Sequence, residues 1–206
     1  GIIEEIVPPL SLPDITVQAA CDVDNPLTGP QGATYTFAAQ KGADEVMQAQ
    51  LEAGMVHFEQ VLRRFSGVSA AEMPGAGAAG GMGAAVALLL NGKLLPGADL
   101  LLDSVGFNQL LQNTDIVFTG EGRIDWQSAH GKVPGSVAKR CKQAGVPCVA
   151  LCGSIGKGAE ELYDQGITAI FSAVKGITTF EEIMRTSGED MAFLTDSVLR
   201  LLTIRK

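Results

Sequence analysis

Five ionisable side chains fall within residues 121–132: Glu121, Arg123, Asp125, His130 and Lys132. They lie in the segment TDIVFTGEGRIDWQSAHGK, residues 114–132. Arg presents a planar fork that matches a carboxylate or a phosphate. Lys supplies a point charge suited to phosphate, and Asp can orient or deprotonate a hydroxyl. Gly120 and Gly122 let backbone N–H groups come close to an anion, and the helical pattern starting near Pro134 adds partial positive charge. The structural alternative is a surface salt-bridge cluster. The position of the segment, after a short β-branched and aromatic run at 115–119, favours a ligand site beyond the carboxyl end of a strand.

Three further constellations carry possible chemistry. Asp22, Asp24 and Asn25 follow an apolar run; two carboxylates at this spacing could hold Mg²⁺, or one could act as a base. An Asx-turn network would use the same residues without chemistry. Ser154 and Lys157 in GSIGKG (153–158) form either an anion nest or a plain turn. Gly75, Gly77 and Gly80 in PGAGAAGGMG (74–83) fit G-x-G-x-x-G, but the preceding SAAEMP does not read as a strand, so the dinucleotide fingerprint lacks its context. Phosphate contact or close packing remains for these glycines. No G-x-x-x-x-G-K-[ST] occurs, and neither histidine has the neighbours of a Ser-His-Asp triad. His57 reads as structural.

The elements that must position these residues follow from periodicity. Residues 15–21 (ITVQAAC) read as a strand, 21–33 as a loop dense in Asp, Asn, Pro and Gly, and 35–37 as a second short strand. Met47, Leu51, Met55, Phe58, Leu62 and Phe65 form one apolar stripe on a long helix. A helix over 84–90 follows the glycines. From Thr114 strands and helices alternate: a strand at 116–118, a helix near 134–144, a strand at 146–152, a helix near 158–165, a strand at 168–174, and two helices near 180–186 and 189–202. Gly145 and Gly166 stand at C-terminal cap positions. Thr179-x-x-Glu182 and Ser187-x-x-Asp190 resemble helix starts. This βαβαβ alternation predicts parallel strands. Their ends at 119–125, 153–158 and 175–176 should form polar glycine loops facing one crevice.

Composition narrows the function classes. The chain has 206 residues, 46% of them hydrophobic, with 25 glycines, which describes a globular rather than a disordered chain. A net charge of −8 argues against nucleic-acid binding. The longest apolar run, 84–90, is far shorter than the roughly 18 residues of a membrane span. No secretory signal follows Gly1, and the missing leading Met suggests a truncated chain or a tag remnant. Cys148 and Cys152 share one predicted strand about 13 Å apart, too far to pair. Four cysteines without C-x-x-C and only two histidines point to free thiols in a reducing cytoplasm rather than zinc.

CDVDNPLTGPQGA, QKGA (40–43), PGAGAAGGMG and TGEGRIDWQSAHGKVPGSVA, in this order, resemble the bacterial glycerate kinase family of the type without a P-loop. The resemblance runs from about Ile15 to the C-terminus. It implies ATP-dependent phosphorylation of D-glycerate to 2- or 3-phosphoglycerate, with Mg²⁺. It also implies a Rossmann-like parallel three-layer αβα domain (104–206, partial) and a smaller inserted α/β domain (1–103, partial), with the site between them. The chain departs from the family in FAAQKGA for FGPQKGA and in Trp126, where a small residue is common. Asp-Ser-Phe-Lys-Gly and Gly-Gly-Ser-Ala-Thr-Asn type segments are absent, so the chain looks like the C-terminal half, with the N-terminal half as its partner and a homodimer admitted.

On a kinase reading, the chemistry of these residues makes Asp22, Arg123, Asp125 and Lys132 the catalytic candidates, with Asp22 and Asp24 toward the metal. Asp24, Asn25, Glu121 and His130 would bind substrate. Gly75, Gly77, Gly80, Gly120, Gly122, Ser154 and Lys157 would bind phosphate or nucleotide. The rival readings are a non-catalytic Rossmann-like module that holds a nucleotide or hydroxyacid, and a kinase for another small hydroxyacid or sugar.

Overall fold

A computed structural model describes residues 3–7 and 14–204. The chain divides into two compact units, Gly1–Gly97 and Ala98–Lys206. The boundary expected near Asp103 falls inside the helix Gly97–Ser104.

In the first unit, β1 (Gln18–Ala20) pairs in parallel with a strand that periodicity did not announce, Lys93–Leu95. Between them come α1 (Ala33–Phe37), α2 (Glu45–Ser66) and α3 (Met82–Leu89), and then β2 (Lys93–Leu95). The expected strand at 35–37 is therefore helical: α1 starts at Ala33 and buries Ala33 and Thr34. Five residues with no strand beside them gain more from local i→i−4 bonds than from an isolated extended backbone, as in Ala38 N–H to Thr34 O at 2.9 Å.

The long helix stands as the stripe predicted, capped by the Asp44 carboxylate on Met47 N–H and ended by left-handed Gly67. Only its middle turns, through Leu62, reach the core, where Met55, Phe58 and Leu62 pack with Leu27, Ala70, Ala76 and Ala84. Met47, Leu51 and Phe65 of the same stripe are exposed. Periodicity located the face but not how far the core extends along it. His57 takes the structural role expected, its Nε2 2.8 Å from Ile3 O.

The second unit opens with α4 (Gly97–Ser104) and α5 (Phe107–Leu110), then continues β3 (Val117–Ile124), α6 (Val133–Ala144), β4 (Cys148–Ile155), α7 (Glu161–Gln165), β5 (Ile167–Ser172) and α8 (Phe180–Thr203). The three strands form a parallel sheet in the order β3-β4-β5. β4 is buried on both faces, as its position requires. Cys148, Ala150 and Cys152 join the core with Val137, Ala138 and Cys141 of α6 and Leu162 of α7. Val149 and Leu151 turn the other way, onto Val198, Met191 and Leu194 of α8. The alternation of strand side chains thus builds the three layers of an αβα domain.

Three expectations need correction here. First, 120–125 is not a loop: β3 runs to Ile124, with Arg123 opposite Ser154 and Ile124 opposite Ile155. An ideal Cβ at Gly120 would lie 1.9 Å from Leu151 O, so the glycine admits the neighbouring strand closely instead of bending the chain. Second, 153–155 likewise continues β4. Third, 180–202 holds one helix, not two. Thr179 caps it by accepting Glu182 N–H at 3.2 Å, but Ser187 donates to Met184 O and Asp190 accepts from Thr186, both within an unbroken helix.

Gly145 and Gly166 are left-handed caps as expected, at φ 71° and 119°. All four cysteines are free. Burial pushes the Cys148 thiol up to about 12 and raises Cys141 and Cys152, which leaves these three as inert core side chains. Among the described residues no helix is long and apolar enough to cross a membrane.

Candidate functional site

The charged residues of the second unit sit where β3 and β4 end. A 3-10 turn, Trp126–Ala129, follows β3 directly and is capped by Asp125, whose Oδ1 accepts Gln127 N–H at 3.0 Å. Ser128, fully buried, closes the capping box by accepting Asp125 N–H at 3.2 Å. Its hydroxyl also donates to Glu121 Oε1. Glu121 in turn faces Lys132 Nζ at 3.9 Å. Arg123 Nε lies 3.6 Å from Asp125 Oδ2. His130 Nδ1 donates to Trp126 O at 2.7 Å and stands 3.9 Å from Glu161 Oε2.

These ion pairs are long and half-open to water. Exposed pairs of this kind contribute about 0–1 kcal/mol, so an incoming anion can replace the internal partner of Arg123 or Lys132 at little cost. The scaffold beneath is firm by contrast. Gly156 N–H donates to Ile124 O at 2.7 Å and Trp126 N–H to Lys157 O at 3.2 Å, which stitches the turn after β3 to the turn after β4. A Cβ at Gly156 would meet Arg123 Nε at 2.9 Å and Nη2 at 3.0 Å. The absent side chain is what lets the guanidinium lie over the β4 turn.

Glu121, Arg123, Asp125, His130 and Lys132 therefore surround one turn, and Ser154 and Lys157 belong to the strand end and turn beside it. Gly122 is open, with no atom within 4 Å of an ideal Cβ, whereas Gly120 is closed by Leu151. Ser128 and Gly156 were not singled out from the sequence. The Asp125-x-x-Ser128 spacing was a readable cap signal. Nothing local marks Gly156, whose role depends on a side chain from another strand.

The first unit uses its polar residues differently. Asp22 Oδ1 accepts Gly97 N–H at 2.7 Å. Asn25 Nδ2 donates to Gln31 O at 2.9 Å and reaches the Thr36 hydroxyl at 3.1 Å. Asp24 is exposed. Gly75 and Gly77 are buried; a Cβ at Gly77 would lie 2.2 Å from Pro26 O, and one at Gly75 would lie 3.0 Å from Leu94 Cδ1. Gly80, left-handed at φ 71°, is open. Close packing accounts for Gly75 and Gly77.

Among the described residues no group of three or more His, Cys, Asp or Glu side chains gathers to hold a metal. Asp22 keeps one carboxylate oxygen beyond its bond to Gly97, and Asp24 lies two residues on. Both are oxygen donors of the kind that Mg²⁺ takes.

The chain is similar to known proteins over most of its length. The glycerate kinase of Halalkalibacterium halodurans is 44% identical over 171 residues, covering 83% of this chain and 45% of its own length. The glycerate kinase of Bacillus cereus is 41% identical, with 91% of this chain and 49% of the relative covered. The glycerate 2-kinase of Escherichia coli is 36% identical, with 94% and 51% covered. A crystal structure described as "putative glycerate kinase 2 from Salmonella typhimurium LT2" superposes with a TM-score of 0.74 at 34% identity, covering 91% of this chain and 48% of that one. The chain spans about half the length of the curated relatives it matches. The profile of the glycerate kinase family matches residues 5–203, and the chain belongs to that family.

Proposed function

We propose that this chain, as part of a longer protein, takes part in the ATP-dependent phosphorylation of D-glycerate to 2- or 3-phosphoglycerate. Family membership supports the reaction class. The observation that carries the reading at residue level is the loosely paired cluster of Arg123, Asp125, Glu121 and Lys132 on a rigid turn at the carboxyl ends of two parallel strands.

Phosphoryl transfer needs little covalent help from a protein; positioning and charge neutralisation dominate. ATP would supply the phosphoryl group; Asp22 and Asp24 would be the protein ligands of an accompanying Mg²⁺, which would offset phosphate charge. Arg123 would grip the glycerate carboxylate or a phosphate through its planar fork. Lys132, released from Glu121, would neutralise charge on the group in transfer. Asp125, already fixed by Gln127 N–H and by Arg123, would orient the acceptor hydroxyl. The remaining half of the longer protein would complete the enzyme, and the free thiols fit a reducing cytoplasm.

The test is a coupled ATP/D-glycerate assay on the 206-residue chain alone, on the chain joined to its remaining half, and on Arg123→Ala in the joined form. Removing Arg123 should lower kcat/KM for glycerate about 100-fold, with the unfolding midpoint unchanged because the side chain is exposed. An unchanged kcat/KM would remove Arg123 from the role. Absence of turnover in the joined form would leave the binding-module reading.

A further inference from the structure

Trp126 is the one aromatic side chain on this turn to which glycerate phosphorylation gives no task. It is also the only tryptophan of the chain. Its backbone is held from both sides: its N–H donates to Lys157 O at 3.2 Å, and its carbonyl accepts His130 Nδ1 at 2.7 Å. Its Cβ sits on Gly158, where an added Cβ would lie 2.6 Å away. His130 braces the ring edge-on, with centroids 5.9 Å apart at 61°. Yet the residue is 53% exposed. A large apolar ring is thus held in water on a rigid mount, against His130, on a turn bonded to the backbone of Lys157 and flanked in sequence by Arg123 and Lys132.

We propose that Trp126 is the stacking platform for the base of a nucleoside triphosphate, whose phosphates lie against the neighbouring cations of the same turn. The inference rests on the ATP-dependent reading above and adds where in this unit the base is held. Glycerate has no π-face and gains nothing from an indole. A ligand that joins an aromatic ring to a polyanion matches both halves of the surface, because bases of any kind stack on aromatic side chains and phosphates favour Arg and Lys. Gly158 and Gly156 belong to the device, since a side chain at either would lift the ring or the guanidinium from its seat.

With one tryptophan in the chain, its fluorescence reports the contact directly. The 206-residue chain is titrated with ATP, adenosine and inorganic tripolyphosphate, and ATP affinity is measured by calorimetry for the native chain, Trp126→Phe and Trp126→Ala. Circular dichroism confirms that each variant is folded. ATP and adenosine should quench saturably while tripolyphosphate leaves the emission unchanged. Trp126→Ala should weaken ATP about tenfold and Trp126→Phe less than about threefold, the range expected for one stacked base. Equal ATP affinity in Trp126→Ala, equal quenching by tripolyphosphate, or no saturable change with ATP would overturn the proposal. If ATP quenches as expected but no glycerate is phosphorylated by the joined protein, the enzymatic reading fails and the platform stands. If turnover is present and the alanine variant binds ATP normally, the reverse holds.

Discussion

Residues 22–32 and residues 120–132 carry nearly the same sequence signal: acidic side chains, glycines and a cap-forming polar residue just after a strand or within its last residues. The two are used in opposite ways. In the first, the polar atoms bind the chain itself. Asp22 takes Gly97 N–H, Asn25 takes Gln31 O, and Gly77 packs against Pro26 O. In the second, the backbone is settled by β4 and by the Asp125–Ser128 box, and the charged ends are left in long contacts with each other. A polar glycine turn is scaffold when its donors and acceptors are consumed locally. It is a ligand surface when neighbouring backbone does that job and frees the side chains.

Paired substitutions can break this contrast. The largest effect belongs to Gly77→Ala. Its new Cβ would lie 2.2 Å from a backbone oxygen that cannot swing aside, so stability should fall by about 3 kcal/mol, read by urea unfolding. Gly156→Ala should behave in the opposite sense. The new methyl meets the far end of Arg123 and the Cβ of Asp125, so the fold should lose only about 1 kcal/mol. In the joined protein, kcat/KM for glycerate should drop about tenfold as the guanidinium is displaced. A Gly156→Ala variant that unfolds like Gly77→Ala would erase the distinction between the two regions.

Asp22 sharpens the comparison at smaller amplitude. Asp22→Ala removes the acceptor of Gly97 N–H and should cost about 1 kcal/mol. Asp22→Asn retains an acceptor oxygen and should recover most of that. If Asp22 also serves Mg²⁺, Asp22→Asn will restore stability without restoring turnover, and the dependence of rate on Mg²⁺ concentration will shift between the native and Asp22→Asn proteins.

The smallest effect is acidic. Lys175 Nζ lies 2.5 Å from Asp190, and the Thr186 hydroxyl donates to it at 2.6 Å. Together, Lys175 first, they hold the Asp190 carboxyl below the usual range. A group depressed in the folded state stabilises fully above its unfolded value, about 3.9 for Asp. That contribution is lost as pH falls through the folded value. Asp190→Asn should therefore flatten the fall of Tm below about pH 4 and leave the neutral region nearly unchanged. An identical acid limb in the variant would show the pair to be silent.

Much of the second unit was legible beforehand because its signals are local. The apolar runs of β4 and β5, the left-handed caps at Gly145 and Gly166, and the Thr179 cap each depend on a few adjacent residues. Glu121, Arg123 and Asp125 could be marked as a charged group near a strand end for the same reason. Signals that depend on distant partners were misread. β3 extends through a glycine-rich polar stretch because β4 lies beside it. Residues 35–37 are helical because no strand lies beside them.

By itself, then, the order of residues determined the parallel α/β class, the alternating elements after Thr114 and the family, since side-chain periodicity, cap chemistry and spaced motifs are written along the chain. The tertiary structure alone decided that Gly156 makes room for Arg123, that Ser128 joins Asp125 to Glu121, and that Trp126 stands exposed on a fixed mount. Each of those depends on which atoms meet across elements, and such distances are set by packing rather than by position in sequence.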